Sequence, residues 1–133
     1  MHMIRRILIG AALLPVAAVI LNGQTTTRST LDGVYTAEQA GRGKTTFNEK
    51  CSGCHETSRF SGKEFQEEWD GKALKEIWDI ASGTMPEDNP GSLKQQEYGD
   101  IIAYFLSLNA YPTGEHELEG SGAAMAAIKV DKK

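Results

Sequence analysis

Five consecutive residues, Cys51-Ser52-Gly53-Cys54-His55, constrain this chain more than anything else in its 133 residues. Two thiols at this spacing, followed directly by an imidazole, are the pattern of c-type haem attachment. The spacing has a physical basis. At the end of a helix the two thiols can bridge the two vinyl groups on one edge of the macrocycle, and the adjacent His55 then lies under the iron to donate a ring nitrogen. Other chemistries for the same residues are weaker. A structural zinc ion needs four ligands. Past the N-terminal segment the cysteines and histidines are Cys51, Cys54, His55 and His116, and adjacent Cys54 and His55 would ligate one tetrahedral ion awkwardly. A thioredoxin-like dithiol needs a βαβ setting, and no such pattern is present. A plain disulfide between the two cysteines is the remaining alternative.

The N-terminal segment reads as an address. Arg5 and Arg6 precede an apolar run from Ile7 to Leu21, and Asn22-Gly23-Gln24-Thr25 follows. A basic start, an apolar centre and a small or polar end are the order of a secretory signal peptide. The alternative is an uncleaved membrane anchor facing the periplasm. Spanning a bilayer takes roughly 20 apolar residues, and this run is shorter and contains Pro15. Residues 1–23 are therefore read as a signal peptide and the protein as periplasmic or otherwise exported. Export places Cys51 and Cys54 in an oxidising compartment, where idle thiols would pair.

Composition narrows the field further. Sixteen of the first 23 residues are hydrophobic, so the 40% hydrophobic content of the whole chain leaves only about a third in the remainder. That is lean for a small domain, which buries a modest share of its surface and often needs a staple or cofactor. A haem bonded to Cys51 and Cys54 would supply the missing apolar surface. The formal charge of −4 disfavours a nucleic-acid partner. Charge is also uneven: residues 42–75 carry seven basic and six acidic side chains, residues 76–119 one basic and nine acidic. That acidic half is either a plain solvated face or a surface that steers a partner carrying a basic patch.

The pattern beyond residue 23 is helical. Residues 24–35, rich in Thr and Ser, read as a flexible leader. Thr36-x-x-Gln39 has the form of a capping box, and Ala40, Gly43 and Phe47 share one face, which predicts a helix over 37–50. A weaker helix is expected around 63–68. Leu74, Ile77, Trp78 and Ala81 predict another over 72–81, stopped by Ser82-Gly83, with an irregular stretch through Pro86, Pro90 and Gly91. The last clear helix runs over 94–108, with Ser92 or Lys94 as its start. Its segment Ile101-Ile102-Ala103-Tyr104-Phe105-Leu106 is apolar nearly all round, as in a helix buried by more than one neighbour. No run reads as a strand. The expected organisation is all-α, a domain over 36–110 followed by a tail over 111–133, part of it an Ala-rich short helix.

A second iron ligand is the next requirement. Past residue 23 the methionines are Met85 and Met125. Pro86 biases Met85 toward an extended backbone, and a Met on an extended strap can aim its sulfur at an iron. Met125, in the Ala-rich tail, fits a gap-filling core role better. His116 or an open site are the other options.

The order helix, attachment motif, Met-Pro, terminal helix resembles the class I c-type cytochromes over about Thr36 to Asn109. Gly43 and Phe47 match that family's first helix, and EYGDIIAYFLSLN, with Tyr98 and Tyr104, looks like its last. The resemblance implies a cytochrome c-like fold, about three to five helices wrapped around one covalently attached haem c. It implies thioethers at Cys51 and Cys54, axial ligation by His55 and Met85, and an aromatic, Trp69, facing a haem propionate. It also implies close crossing of the first and last helices. Such a protein carries single electrons and is not itself an enzyme. Its partners are redox proteins, a dehydrogenase as donor and an oxidase or other cytochrome as acceptor, with membrane contact only if residues 1–23 stay attached. Membership of a larger redox complex, or a catalytic or gas-sensing haem with an open site, are the alternatives. One departure stands out: many relatives carry a Pro between the attachment motif and the Met ligand, and none lies between His55 and Met85 here.

Overall fold

The structure, a computed structural model, describes residues 27–133. The expected signal peptide and residues 24–26 lie outside them. In chain order the elements are β1 (Arg28–Ser29), α1 (Ala37–Lys50), α2 (Gly62–Trp69), α3 (Leu74–Thr84), α4 (Gln95–Leu108), α5 (Gly122–Ala126) and β2 (Ile128–Lys129). The described residues are all-α apart from the two short strands.

Helix α1 begins where the Thr36 hydroxyl accepts from the Gln39 N–H at 3.1 Å. Only that half of the expected capping box forms. Gln39 is fully buried, and its amide turns inward to donate to Asp100 Oδ1 at 3.0 Å and to the Leu118 carbonyl at 2.8 Å, while accepting from the Leu118 N–H at 2.7 Å. A buried amide must satisfy its hydrogen bonds, and here that requirement outweighs the local cap. Helix α4 starts at Lys94 rather than Ser92. Lys94 has no hydroxyl to offer, but the Glu97 carboxylate accepts from the Lys94 N–H at 2.7 Å.

Helices α1 and α4 cross in backbone contact. A Cβ at Gly43 would overlap the carbonyl of Asp100, so only glycine fits there. Ala40 and Phe47 of α1 are buried, as is every residue of α4 from Tyr98 to Leu106, which α3 packs against as well. The Asp100 carboxylate, 6% exposed, accepts from Gln39, from Arg42 Nε at 3.0 Å and from Gln96 Nε2 at 3.0 Å. A buried charge paired and hydrogen-bonded in this way avoids the penalty of a lone one.

Helix α3 differs from its expected bounds at both ends. Ser82 and Gly83 do not stop it, and the Met85 N–H still donates to the Ala81 carbonyl at 3.1 Å. It ends at Pro86, which forces the preceding residue out of helical geometry: Met85 has φ −122° and ψ 150°.

Two expectations are corrected. The described part of the leader is packed, not flexible. Arg28 and Ser29 pair in parallel with Ile128 and Lys129, Val34 and Tyr35 are buried, and Tyr35 Oη donates to the Tyr111 carbonyl at 2.7 Å. Residues 111–133 are likewise no loose tail. Leu118, Met125, Ile128 and Val130 belong to the core, and Val130 exchanges backbone bonds with Lys72 and Gly71 at 2.8 and 2.7 Å. Two-residue strands are too short for an alternating pattern to show in sequence. The burial of Val34, Tyr35, Leu118, Met125, Ile128 and Val130 in the helical core makes 27–133 one packed unit.

Replacing Gly43 with alanine pushes a methyl group into the α4 backbone. Overpacking of this kind costs about 1–3 kcal/mol or more. The expected loss for Gly43→Ala is about 3 kcal/mol, read from the denaturant midpoint of the haem-loaded protein.

Candidate functional site

The end of α1 turns sharply into the attachment motif. The Cys51 N–H caps the helix on the Phe47 carbonyl at 2.8 Å, and the Cys54 and His55 N–H groups both return to the Cys51 carbonyl, at 3.1 and 2.9 Å. This wrap leaves Cys51 half-buried, Cys54 exposed and His55 half-buried, all three facing a single cleft of about 910 Å³. Both cysteines are free thiols, not joined in the disulfide that was the alternative to haem attachment. Burial pushes the Cys51 thiol above its ordinary pKa, because desolvation disfavours the thiolate.

The cleft walls are mainly apolar. Phe47, Phe65, Trp69, Ile77, Ile101 and Phe105 face it from α1, α2, α3 and α4. Across it, Met85 and Pro86 open the strap 85–93 that joins α3 to α4, and Met85 lines the same cavity. Met125 is fully buried in the core, and His116 is exposed on the loop before α5; neither lines the cleft. The structure thus brings together Cys51, Cys54, His55 and Met85, and leaves out the two alternative donors. The zinc reading needs His116 as a fourth ligand, and His116 does not line the cleft with Cys51, Cys54 and His55. Trp69 does line the cleft, with Lys72 Nζ 4.8 Å from its ring centre. Arg59, paired with Glu68 at 3.4 Å, stands at the rim with Lys50.

Two residues that shape the His55 side of the cleft carry little sequence signal. Phe60 sits alone in a polar loop, where no periodicity marks it. Its ring stacks on Phe105, centroids 4.2 Å apart and planes 2° from parallel, and meets the His55 ring edge-on at 5.6 Å. Asn109, at the end of α4, holds that loop in place. Its Nδ2 donates to the Phe60 carbonyl at 2.9 Å and to the Phe105 carbonyl at 2.8 Å, and its Oδ1 accepts from the Gly62 N–H at 2.9 Å. An Asn just past a long apolar helix is the one visible hint of this clamp. Among the described residues the His55 ring makes no hydrogen bond. Its neighbour is an aromatic edge contact, in a chain that lacks the usual proline between His55 and Met85.

The donor set fits a haem. Two free thiols, an imidazole and a thioether face one cavity with aromatic and aliphatic walls. Its volume lies at the upper end of the roughly 300–1,000 Å³ range of small-molecule and cofactor sites.

The family model described as "Cytochrome C oxidase, cbb3-type, subunit III" matches residues 38–105, about half of the chain and the whole span from the start of α1 to Phe105. Searches of curated proteins and of solved structures each gave no match.

With so much apolar wall facing a cavity, the chain depends on the group that fills it. The double variant Cys51→Ala/Cys54→Ala, which cannot attach haem, is expected to lose its near-ultraviolet circular dichroism and its sharp unfolding transition. A cooperatively unfolding haem-free form would contradict that dependence.

Proposed function

The chain belongs to this c-type cytochrome family and carries covalently attached haem c, and on that premise we propose that it is an exported single-haem carrier of single electrons, ligated by His55 and Met85. One observation carries the reading. Of the His and Met side chains among the described residues, only His55 and Met85 reach the cleft that Cys51 and Cys54 open onto.

When bound, haem supplies an iron that takes up and gives back one electron. Cys51 and Cys54 would hold the macrocycle through thioethers, which keep it in place in a small protein. His55 and Met85 would supply the two axial donors, a pairing suited to electron transfer in which Met raises the potential. Phe47, Phe65, Phe105, Ile77 and Ile101 exclude water from the cavity, so a change of charge inside it is felt through a low dielectric. With His55 and Met85 both serving as ligands, the iron would be left no site for a substrate.

The rim fits a redox partner. Glu87 and Asp88 line the cleft on the strap, and Glu76 is exposed on α3. Ile80, 54% exposed, offers an apolar contact at the same mouth. This combination suits a partner with a basic patch. Electron exchange with such a partner is expected to slow steadily as ionic strength rises from about 10 mM to 500 mM, as screening shortens the reach of the carboxylates; a flat stopped-flow profile would leave the acidic rim a plain solvated face. The family description also admits a second reading, a subunit of a larger oxidase, which co-purification with further haem- or copper-bearing chains would reveal. Among the described residues no helix is long and apolar enough to cross a membrane. Export rests on the sequence of residues 1–23.

The absorption spectrum of the oxidised protein tests the ligation. A far-red sulfur-to-iron charge-transfer band is expected, and Met85→Ala should abolish it while opening the iron to cyanide. A wild-type protein without the band that binds cyanide or carbon monoxide readily would instead have an open site.

A further inference from the structure

The strap that carries Met85 is tied to the helical framework at its neck by a single side chain. Tyr98, 3% exposed on the first turn of α4, donates its hydroxyl to the Met85 carbonyl at 2.7 Å. The Tyr98 hydroxyl oxygen in turn accepts from the Leu93 N–H at 3.4 Å. One hydroxyl therefore holds the first and last residues of 85–93 together. Apart from the Met85 N–H, which donates to the Ala81 carbonyl at the end of α3 at 3.1 Å, the other bonds of the strap are short-range turns within it: Gly91 N–H to the Met85 carbonyl at 3.3 Å, Asn89 N–H to the Pro86 carbonyl at 2.9 Å, and Ser92 N–H to the Asn89 carbonyl at 3.3 Å. Among the described residues no other side chain from outside the strap hydrogen-bonds to it. The anchor itself is rigid, because α4 is locked against α1 at Gly43.

We infer that Tyr98 is a positioning residue for the Met85 sulfur: its hydroxyl fixes the backbone from which that side chain enters the cleft, and so sets how readily another ligand displaces it. The inference rests on Met85 being an axial ligand. The Tyr98 ring also lines the cleft, and a phenylalanine would keep that wall, so the role belongs to the hydroxyl alone. A single net intramolecular hydrogen bond makes a modest contribution, equivalent to a change of a few-fold in an equilibrium constant. A strap released from its neck should therefore yield its sulfur several-fold more readily.

The test uses the haem-loaded, oxidised protein with imidazole as the competing ligand. Tyr98→Phe is expected to keep the far-red charge-transfer band and to bind imidazole about fivefold more tightly than wild type. Tyr35→Phe is the matched control. It loses a buried hydroxyl that also donates to a carbonyl at 2.7 Å, that of Tyr111, but neither residue lines the cleft. It is expected to lower the denaturant midpoint without changing imidazole affinity. Tyr98→Phe binding imidazole like wild type, or shifted no more than Tyr35→Phe, would overturn the positioning role. Met85→Ala separates this failure from a deeper one. If that variant keeps the band, Met85 is not the ligand and both readings fall. If it loses the band while Tyr98→Phe matches the control, only the role of Tyr98 falls.

Discussion

The backbone contact between Gly43 and Asp100 is the constraint from which the site is built. Because no side chain separates the two helices there, their neighbouring residues are pressed into one small volume. Phe47, one turn along α1, meets Tyr104 and Phe105 of α4 at ring distances of 5.7 and 5.9 Å. One further turn brings α1 to its end at Lys50 and releases the thiols and His55. On the partner helix, Phe105 supports Phe60, Phe60 meets the His55 ring, and Asn109 fastens the intervening loop. At the other end of the same helix, Tyr98 reaches the Met85 strap. The two proposed axial donors are thus referred to one helix, α4, at two places about two turns apart, and α4 is itself fixed by α1.

Much of this was legible before any coordinates. The motif at 51–55, the face Ala40–Gly43–Phe47 and the apolar run 101–106 are dense local signals, and each lies where its pattern placed it. Helix α1 keeps its expected bounds, because Thr36 caps it and the attachment turn ends it. What escaped the sequence depends on partners far away along the chain. Gln39 looked like a local cap and is a buried bridge to Leu118. Thr30, in what looked like a loose leader, is fully buried, and its hydroxyl accepts from the Asp131 N–H at 3.1 Å. Phe60 and Asn109 act through contacts with elements that neither could announce by spacing. Ser82-Gly83 misled in the opposite direction, since a glycine near a helix end is tolerated when the next real obstacle is a proline.

The lean hydrophobic content also acquires a structural meaning. Side chains such as Phe65, Trp69 and Ile77 are buried on one side by their neighbours and face the cleft on the other. The polypeptide is therefore not short of a core so much as built around one that it does not encode. The acidic side chains follow the same logic of placement. Glu87 and Asp88 sit on the short loop that carries Met85, so the surface proposed for a partner and the proposed sulfur ligand belong to one piece of chain.

The seam between β1 and β2 joins residues 28 and 128, yet this separation costs little. Loop-closure entropy grows only with the logarithm of length, about 0.6 kcal/mol per doubling. The folded chain shortens the path further. In the folded chain α1 and α4 are in contact, so only the stretches 29–36 and 109–127 separate the seam from that crossing. The seam and the cleft also share no residue. Closing the ends of the chain is therefore inexpensive, and it reaches the cleft from behind: Ile128 and Val130 share one core with the cleft-lining Trp69 and Ile77.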